Sequence, residues 1–99
     1  MSTQAQTKEK IVVALQPPKL WKVVFLNDDQ TPMQLVIDIL TTVFKQSEST
    51  AKETTLEIHN EGSAVVGVFP YEIAEQKGLE ATTLARANGA PLKVQVEQE

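Results

Sequence analysis

The spacing of apolar residues predicts three strands and three helices in the order β-α-α-β-α-β. Strand-like runs cover residues 20–26, 64–69 and 92–96. The predicted helices run from 32 to about 44, from 47 or 49 to about 60, and from 70 to about 88. Each element must bury its apolar side against another, so this order predicts an α/β (α+β) two-layer sandwich. We expect a three-stranded antiparallel sheet with three helices.

The first predicted strand has apolar side chains on both faces. Trp21, Val23 and Phe25 alternate along one face, and Val24 and Leu26 lie on the other. A strand that is apolar on both faces is typical of a position inside a sheet rather than at its edge. We therefore expect residues 20–26 to form the central strand.

Capping residues mark the ends of the predicted helices. Thr31 is suited to the N-cap of the first helix, and Pro32 is suited to its first position. Gly62 and Gly89 follow the second and third helices, where glycine favours the left-handed conformation that ends a helix. The third helix carries a line of small residues that would let it lie close to the sheet: Ala74, Gly78, Ala81 and Ala85.

Composition limits the classes of function. The 99 residues suit one domain, which we place at residues 17–99 behind a flexible arm of residues 1–16. The net charge of −4, without a basic stripe, argues against a nucleic-acid partner. The sequence has no cysteine for a disulfide or a thiol nucleophile, and no run reaches the ~20 apolar residues of a membrane span. Since the N-terminus lacks the apolar core of a signal peptide, we expect a cytoplasmic protein.

Candidate chemistry is concentrated in one polar turn and one histidine. Asn27, Asp28 and Asp29 follow the first strand, and His59, the only histidine, lies near the end of the second helix. By itself the turn is typical of a plain strand-to-helix connection. However, carboxylate, amide oxygen and neutral imidazole nitrogen all accept hydrogen bonds, whereas an ammonium group only donates them. If the turn and His59 meet beside an apolar pocket, they would bind the free α-amino group of a peptide and place its first side chain in the pocket.

Two other functions remain open on these residues alone. Asp29 and His59 could hold a metal ion in a small hydrolase, although one histidine and two adjacent aspartates make a thin ligand set. The chain could also be a plain protein-assembly module, in which neither Asn27 nor His59 would take part in partner binding.

The order of the motifs resembles ClpS, a family of N-end-rule adaptors for Clp AAA-plus proteases. Matching residues extend from Pro17 towards the C-terminus and include Asn-Asp-Asp at 27–29, Thr-Pro-Met at 31–33, Ile-His at 58–59 and Pro-Leu at 91–92. The resemblance implies a non-enzymatic adaptor without cofactor or metal, with a fold like the C-terminal domain of the ribosomal stalk protein. It would capture substrates that begin with Leu, Phe, Tyr or Trp. It would deliver them to the N-terminal domain of a ClpA- or ClpC-type unfoldase.

The resemblance also implies roles for individual residues in substrate binding. The residues that match Asn27, Asp29 and His59 hold the α-amino group, with a water at the aspartate, and Asp28 shapes the same turn. The side-chain pocket would be walled by seven residues: Leu26, Thr31, Met33, Val36, Thr55, Ile58 and Leu92.

Two further positions match residues that dock on the unfoldase, and two depart from the family pattern. Glu72 and Lys77 are the docking candidates. Thr55 stands where the family commonly has a methionine, which predicts a wider pocket or a shifted preference among large side chains. Gln30 replaces a frequent aromatic residue, in a position that we expect to face solvent.

Overall fold

The central strand of the sheet is β1 (Leu20–Leu26), as its two apolar faces predict. The computed structural model describes residues 17–99. Strand β2 (Ser63–Pro70) pairs with one edge of β1 and β3 (Lys93–Gln98) with the other, and both pairings are antiparallel. A bulge interrupts the β1–β2 register between Val23 and Val24. The predicted sheet is therefore confirmed.

Three helices bury the side of β1 that carries Trp21, Val23 and Phe25. They are α1 (Met33–Thr42), α2 (Glu48–Glu61) and α3 (Tyr71–Ala87). Val23 and Phe25 are fully buried together with Ile39 and Leu40 of α1. The predicted two-layer architecture and the order of its elements are confirmed.

Helix α3 lies close to the sheet because its inner side carries small residues. The predicted line of small residues is buried throughout: Ala74, Gly78, Ala81 and Ala85. A Cβ atom at Gly78 would lie 3.2 Å from Cγ2 of Val96 in β3. A larger residue at position 78 would therefore push the helix away from the sheet.

The start of α1 differs from the prediction. Pro32 occupies the N-cap position without a capping side-chain hydrogen bond, and the helix begins at Met33. The predicted N-cap at Thr31 is wrong because its hydroxyl donates a hydrogen bond to Asp28 instead, at 2.7 Å. Helix α1 also ends at Thr42, two residues before the predicted limit.

The ends of α2 follow the predicted signals. Ser47 is its N-cap and accepts a hydrogen bond from the backbone N–H of Thr50 at 3.2 Å. Gly62 ends the helix with φ of 91°, a left-handed conformation that favours glycine. Strand β3 begins one residue later than expected, which leaves Leu92 in the loop before it.

Two sequence expectations concern other parts of the chain. The predicted arm, residues 1–16, lies outside the described residues. Within residues 17–99, no helix is long and apolar enough to cross a membrane.

Candidate functional site

A cavity of about 40 Å³ opens at the end of the sheet where β1 finishes and β3 begins. Five apolar and five polar side chains form its wall, and the polar ones belong to the 27–31 turn and to α2. Ten residues line it: Leu26, Asn27, Asp28, Thr31, Met33, Val36, Thr55, Ile58, His59 and Leu92. The cavity thus combines an apolar interior with hydrogen-bonding groups, a combination typical of small-ligand sites.

Strand pairing brings the polar turn and the histidine together. Ser63, the first residue of β2, lies opposite Leu26, the last residue of β1. The backbone N–H of Asn27 donates to the carbonyl oxygen of Gly62 at 2.9 Å, which extends this pairing by one step. His59 lies in the last turn of α2, just before Gly62. Asn27 and His59 therefore reach the same cavity although they are far apart in sequence.

Asp28 holds the turn in a fixed shape. Its Oδ1 atom accepts hydrogen bonds from the backbone N–H groups of Gln30 at 2.8 Å and Thr31 at 2.7 Å. Its Oδ2 atom accepts from the Thr31 hydroxyl at 2.7 Å. Partial burial raises the pKa of Asp28, but these hydrogen bonds and the positive charge of Arg86 outweigh burial, so the pKa lies below its ordinary value of 3.8. The carboxylate is ionised at neutral pH and fully used inside the turn.

The other polar groups near the cavity are available to a ligand. Asn27 and His59 are exposed, and among residues 17–99 their side chains have no hydrogen-bond partner. Asp29 is exposed as well but does not line the cavity. Of the four residues predicted to bind an α-amino group, the structure brings Asn27, Asp28 and His59 to the cavity and leaves Asp29 outside its lining.

All seven residues predicted to wall the pocket line the cavity. Val36, Ile58 and Leu92 are buried, whereas 43% of the Met33 surface is exposed at the rim. Thr55 is 4% exposed, and its hydroxyl donates to the carbonyl oxygen of Ala51 at 2.7 Å. Because the only donor of Thr55 is directed at its own helix, this residue adds no free donor to the cavity.

Arg86 is a residue near the cavity that the sequence analysis missed. Its Nη1 atom donates to the carbonyl oxygens of Ala90 and Leu92, both at 2.9 Å. The available signal was a basic residue in the last turn of α3, shortly before Gly89, because such residues often bond to carbonyl groups near a helix end.

The two docking candidates lie away from the cavity. Glu72 is exposed in the first turn of α3, at the opposite end of the sheet. Lys77 is half-buried, and its Nζ atom donates to the carbonyl oxygen of Val43 at 2.8 Å, where α1 ends. The same ammonium group lies 5.6 Å from the centre of the Phe69 ring. Lys77 therefore has contacts within the fold, whereas Glu72 projects into solvent.

Metal-ligating side chains are dispersed in the described part of the chain. Within residues 17–99, no three His, Asp or Glu side chains are grouped so that they could hold a metal ion. The carboxylate beside His59 in the cavity lining is Asp28, whose oxygens already accept three hydrogen bonds. The acceptors at the cavity without a partner among residues 17–99 are therefore those of Asn27 and His59.

Comparisons with known proteins show which family this chain resembles. The family model "ATP-dependent Clp protease adaptor protein ClpS" matches residues 16–95. The ClpS adaptor of Nautilia profundicola is 52% identical over 81 residues, which cover 82% of this chain and 84% of that protein. The ClpS adaptor of Bdellovibrio bacteriovorus is 40% identical over 98 residues, which cover 99% of this chain and 86% of that protein.

One similar solved structure contains a ligand. It is Agrobacterium tumefaciens ClpS2 bound to L-phenylalaninamide, with a TM-score of 0.81 and 46% sequence identity. The match covers 84% of this chain and 100% of the ClpS2 chain. The similarity therefore includes both the sequence and the whole fold of that protein.

Proposed function

The chain belongs to the ClpS family of Clp protease adaptors, and from this premise we propose that it captures proteins by a free, bulky hydrophobic N-terminal residue. It then delivers them to a Clp AAA-plus unfoldase for degradation. The chain itself is not an enzyme: it selects the substrate, and the partner unfolds it. In this proposal the protein acts in the cytoplasm, the compartment that we expect from its sequence.

The observation that carries the proposal is a pair of acceptors beside the cavity that have no partner among residues 17–99. The Asn27 amide oxygen and a His59 ring nitrogen can each accept one N–H of an ammonium group. Hydrogen bonds to a charged group contribute roughly 1.5–3 kcal/mol each. An acetylated N-terminus has lost the charge and all but one of these donors, so it cannot make the same bonds.

The interior of the cavity takes the first side chain of the substrate. Buried Val36, Ile58 and Leu92 offer apolar contacts, and exposed Met33 covers the rim. Burying a side chain of the size of Leu or Phe contributes roughly 1.5–3 kcal/mol. A substrate that begins with a small residue would leave these contacts unmade.

The two aspartates contribute differently in this proposal. Asp28 keeps the turn in shape through its three internal hydrogen bonds and adds negative charge close to the bound ammonium group. Asp29, which is exposed outside the cavity lining, would reach the third N–H through a water, as the family resemblance implies.

The ligand in the similar solved structure supports this proposal. L-phenylalaninamide, bound to Agrobacterium tumefaciens ClpS2, is a phenylalanine with a free α-amino group and an uncharged carboxamide. It presents the groups that the first residue of a protein would present. We infer that the cavity described above binds the same chemical unit.

Delivery to the unfoldase uses a different surface in this proposal. We place the contact with the N-terminal domain of a ClpA- or ClpC-type unfoldase at Glu72 and Lys77, at a distance from the cavity. The exposed position of Glu72 on α3 supports this assignment. Because the two sites are separate, the adaptor can hold substrate and unfoldase at the same time.

A pair of fluorescent peptides that start with Phe, one free and one N-acetylated, tests the proposal. We expect the free peptide to bind the protein at least about 100-fold more tightly, because acetylation removes two charge-assisted hydrogen bonds. A third peptide that starts with Gly controls for the side chain and should also bind weakly. Equal affinity for the free and acetylated Phe peptides would refute the proposal.

A panel of peptides that differ only in the first residue tests the preference set by Thr55. Methionine is longer than threonine, so Thr55→Met should narrow the cavity and weaken binding of a Trp-initiated peptide more than that of a Leu-initiated peptide. Identical Trp-to-Leu affinity ratios in wild type and variant would show that position 55 does not set the preference.

A further inference from the structure

Arg86 connects the end of α3 with the loop that leads into the cavity. It is the only arginine in the sequence and lies in the last turn of its helix. One nitrogen of its guanidinium group, Nη1, donates to two carbonyl oxygens, those of Ala90 and Leu92, each at 2.9 Å. Both acceptors lie beyond the helix, so the contact secures the loop rather than the helix end alone.

The loop from Asn88 to Leu92 is otherwise attached at its start, to the last turn of α3. The Asn88 backbone N–H donates to Ala85 at 3.1 Å, the Asn88 side-chain amide donates to Leu84 at 2.9 Å, and the Gly89 backbone N–H donates to Arg86 at 3.0 Å. The backbone N–H of Ala90 donates to Ala85 at 2.9 Å, and Gly89 reverses the chain with φ of 71°. Sheet pairing with β1 starts only at Lys93, opposite Leu26. The carbonyl group of Leu92, which precedes the sheet, is held by Arg86.

Leu92 is the cavity residue most affected by this attachment. Its side chain is 1% exposed, packs in the hydrophobic core and lines the cavity from the loop before β3. Its carbonyl group, which lies outside the strand pairing, is held by the hydrogen bond from Arg86. A shift of the loop would move this wall and change the width of the cavity.

Arg86 also acts on the polar side of the cavity. Its positive charge is one of the influences that keep Asp28 ionised. Among residues 17–99 no ion pair joins Arg86 to Asp28, so this effect acts through charge alone, whereas the contact of Arg86 with the loop is direct.

We propose that Arg86 is a positioning residue that fixes Leu92 as a wall of the cavity and thereby sets which first side chains are preferred. This inference rests on the proposed function, since preference has meaning only if the cavity binds N-terminal residues. Arginine suits the task because its planar guanidinium group offers several donors in a fixed arrangement. Lysine would keep the charge but not that arrangement.

The experiment compares Arg86→Gln and Arg86→Lys with the control Lys52→Gln. Lys52 is exposed on α2, does not line the cavity, and within residues 17–99 pairs only with exposed Glu48 at 3.6 Å, so its substitution removes one charge elsewhere. Two quantities are measured: the affinities for Leu-, Phe- and Trp-initiated peptides, and the NMR signals of the Leu92 methyl groups.

We expect Arg86→Gln to weaken binding of the Leu-initiated peptide about tenfold and that of the Trp-initiated peptide less, because a loosened wall can retreat from a large side chain. The NMR signals of the Leu92 methyl groups should also move. In Arg86→Lys, the peptide affinities and the methyl signals should change in the same direction as in Arg86→Gln. Lys52→Gln should leave both measurements at the wild-type values. A general loss of structure would weaken all peptides equally and would not alter their ratio.

An unchanged affinity ratio in both Arg86 variants, or Leu92 methyl signals that stay in place, would overturn the inference. If the wild-type protein fails to distinguish free from acetylated peptides, the proposed function is wrong instead. The methyl signals still report in that case on whether Arg86 positions Leu92. If Arg86→Gln does not fold, Arg86→Lys alone decides by the same two measurements.

Discussion

The two ends of the sheet treat their polar groups in opposite ways. At the cavity end, the side chains of Asn27 and His59 are exposed and have no partner among residues 17–99. At the other end, Lys77 donates a hydrogen bond to the carbonyl oxygen of Val43, and the Tyr71 hydroxyl donates to Glu75. The Tyr71 ring packs edge-to-face against Trp21, with ring centroids 4.8 Å apart. Lys77 and Tyr71 therefore have partners within the fold.

This contrast separates polar side chains that stabilise the fold from polar side chains that are available to a ligand. Folding gains little from a polar side chain without a partner, whereas an internal contact such as that of Lys77 stabilises the chain. Substitutions of Asn27 and His59 should therefore change peptide binding and leave stability intact. Substitution of Lys77 should do the reverse.

The largest expected effect is the loss of peptide binding when the unpaired acceptors are removed. Asn27→Ala and His59→Ala should each weaken binding of a Phe-initiated peptide about 10- to 100-fold, because each removes a hydrogen bond to a charged group. The melting temperature should stay near that of wild type. Asn60→Ala, on the same turn of α2 but outside the cavity lining, is the matched control. If Asn27→Ala and His59→Ala both bind the Phe-initiated peptide as tightly as wild type, these side chains do not bind the ligand and the contrast between the two ends is wrong.

A smaller effect is expected on stability from Lys77→Met. This change removes the ammonium group that bonds to the end of α1 and lies over Phe69, and we expect the free energy of unfolding to fall by about 1–2 kcal/mol. Urea unfolding measures this loss, and Lys52→Met on the exposed face of α2 provides the comparison. Affinity for the Phe-initiated peptide should not change. Unaltered stability would mean that the contacts of Lys77 do not hold the fold.

Glu72 should behave differently from Lys77 although both are docking candidates. Glu72→Lys should weaken binding to the isolated N-terminal domain of the unfoldase several-fold, an effect in the range of exposed charge pairs. Stability and peptide affinity should stay constant. Glu57→Lys is the matched control, because it makes the same charge change at an exposed position on α2. If both variants weaken docking equally, net charge rather than a surface at Glu72 is responsible.

The smallest effect concerns the pH dependence that Asp28 adds to stability. Because its pKa in the fold lies below 3.8, the folded protein binds this proton more weakly than the unfolded chain. The resulting stabilisation is fully present above about pH 5 and is lost as the pH falls through the folded pKa. Urea unfolding from pH 6 to pH 2.5 measures the difference in stability between wild type and Asp28→Asn. This difference should therefore shrink only at the acidic end of the range. A constant advantage over that range would contradict this account.

The order of elements could be predicted because it depends on local spacing of apolar residues. The bounds of β1 agree with the prediction at both ends, since its alternation begins and stops abruptly. The start of α1 could not be derived in the same way. Thr31 has two possible partners, the helix N-terminus and Asp28, and only the folded turn decides between them.

The binding cavity was less accessible to sequence reasoning than the fold. The meeting of Asn27 with His59 depends on the pairing of Leu26 with Ser63, which neither segment reveals alone. The family resemblance supplied the residues of the lining. The contribution of Arg86 remained hidden because its acceptors are backbone carbonyl groups, and every residue has one.

The hydrogen bond between Asn27 and Gly62 has a consequence for changes in chain length. One residue inserted between Gly62 and Ser63 would either break this bond or slide β2 by one position, turning Ala64 and Val66 from the core towards the outer face. Either result separates the histidine from the amide, even if every side chain of the site is retained. Loop grafting or insertion must therefore leave this corner untouched, whereas a substitution of the exposed Asn27 side chain leaves the backbone hydrogen bond to Gly62 in place.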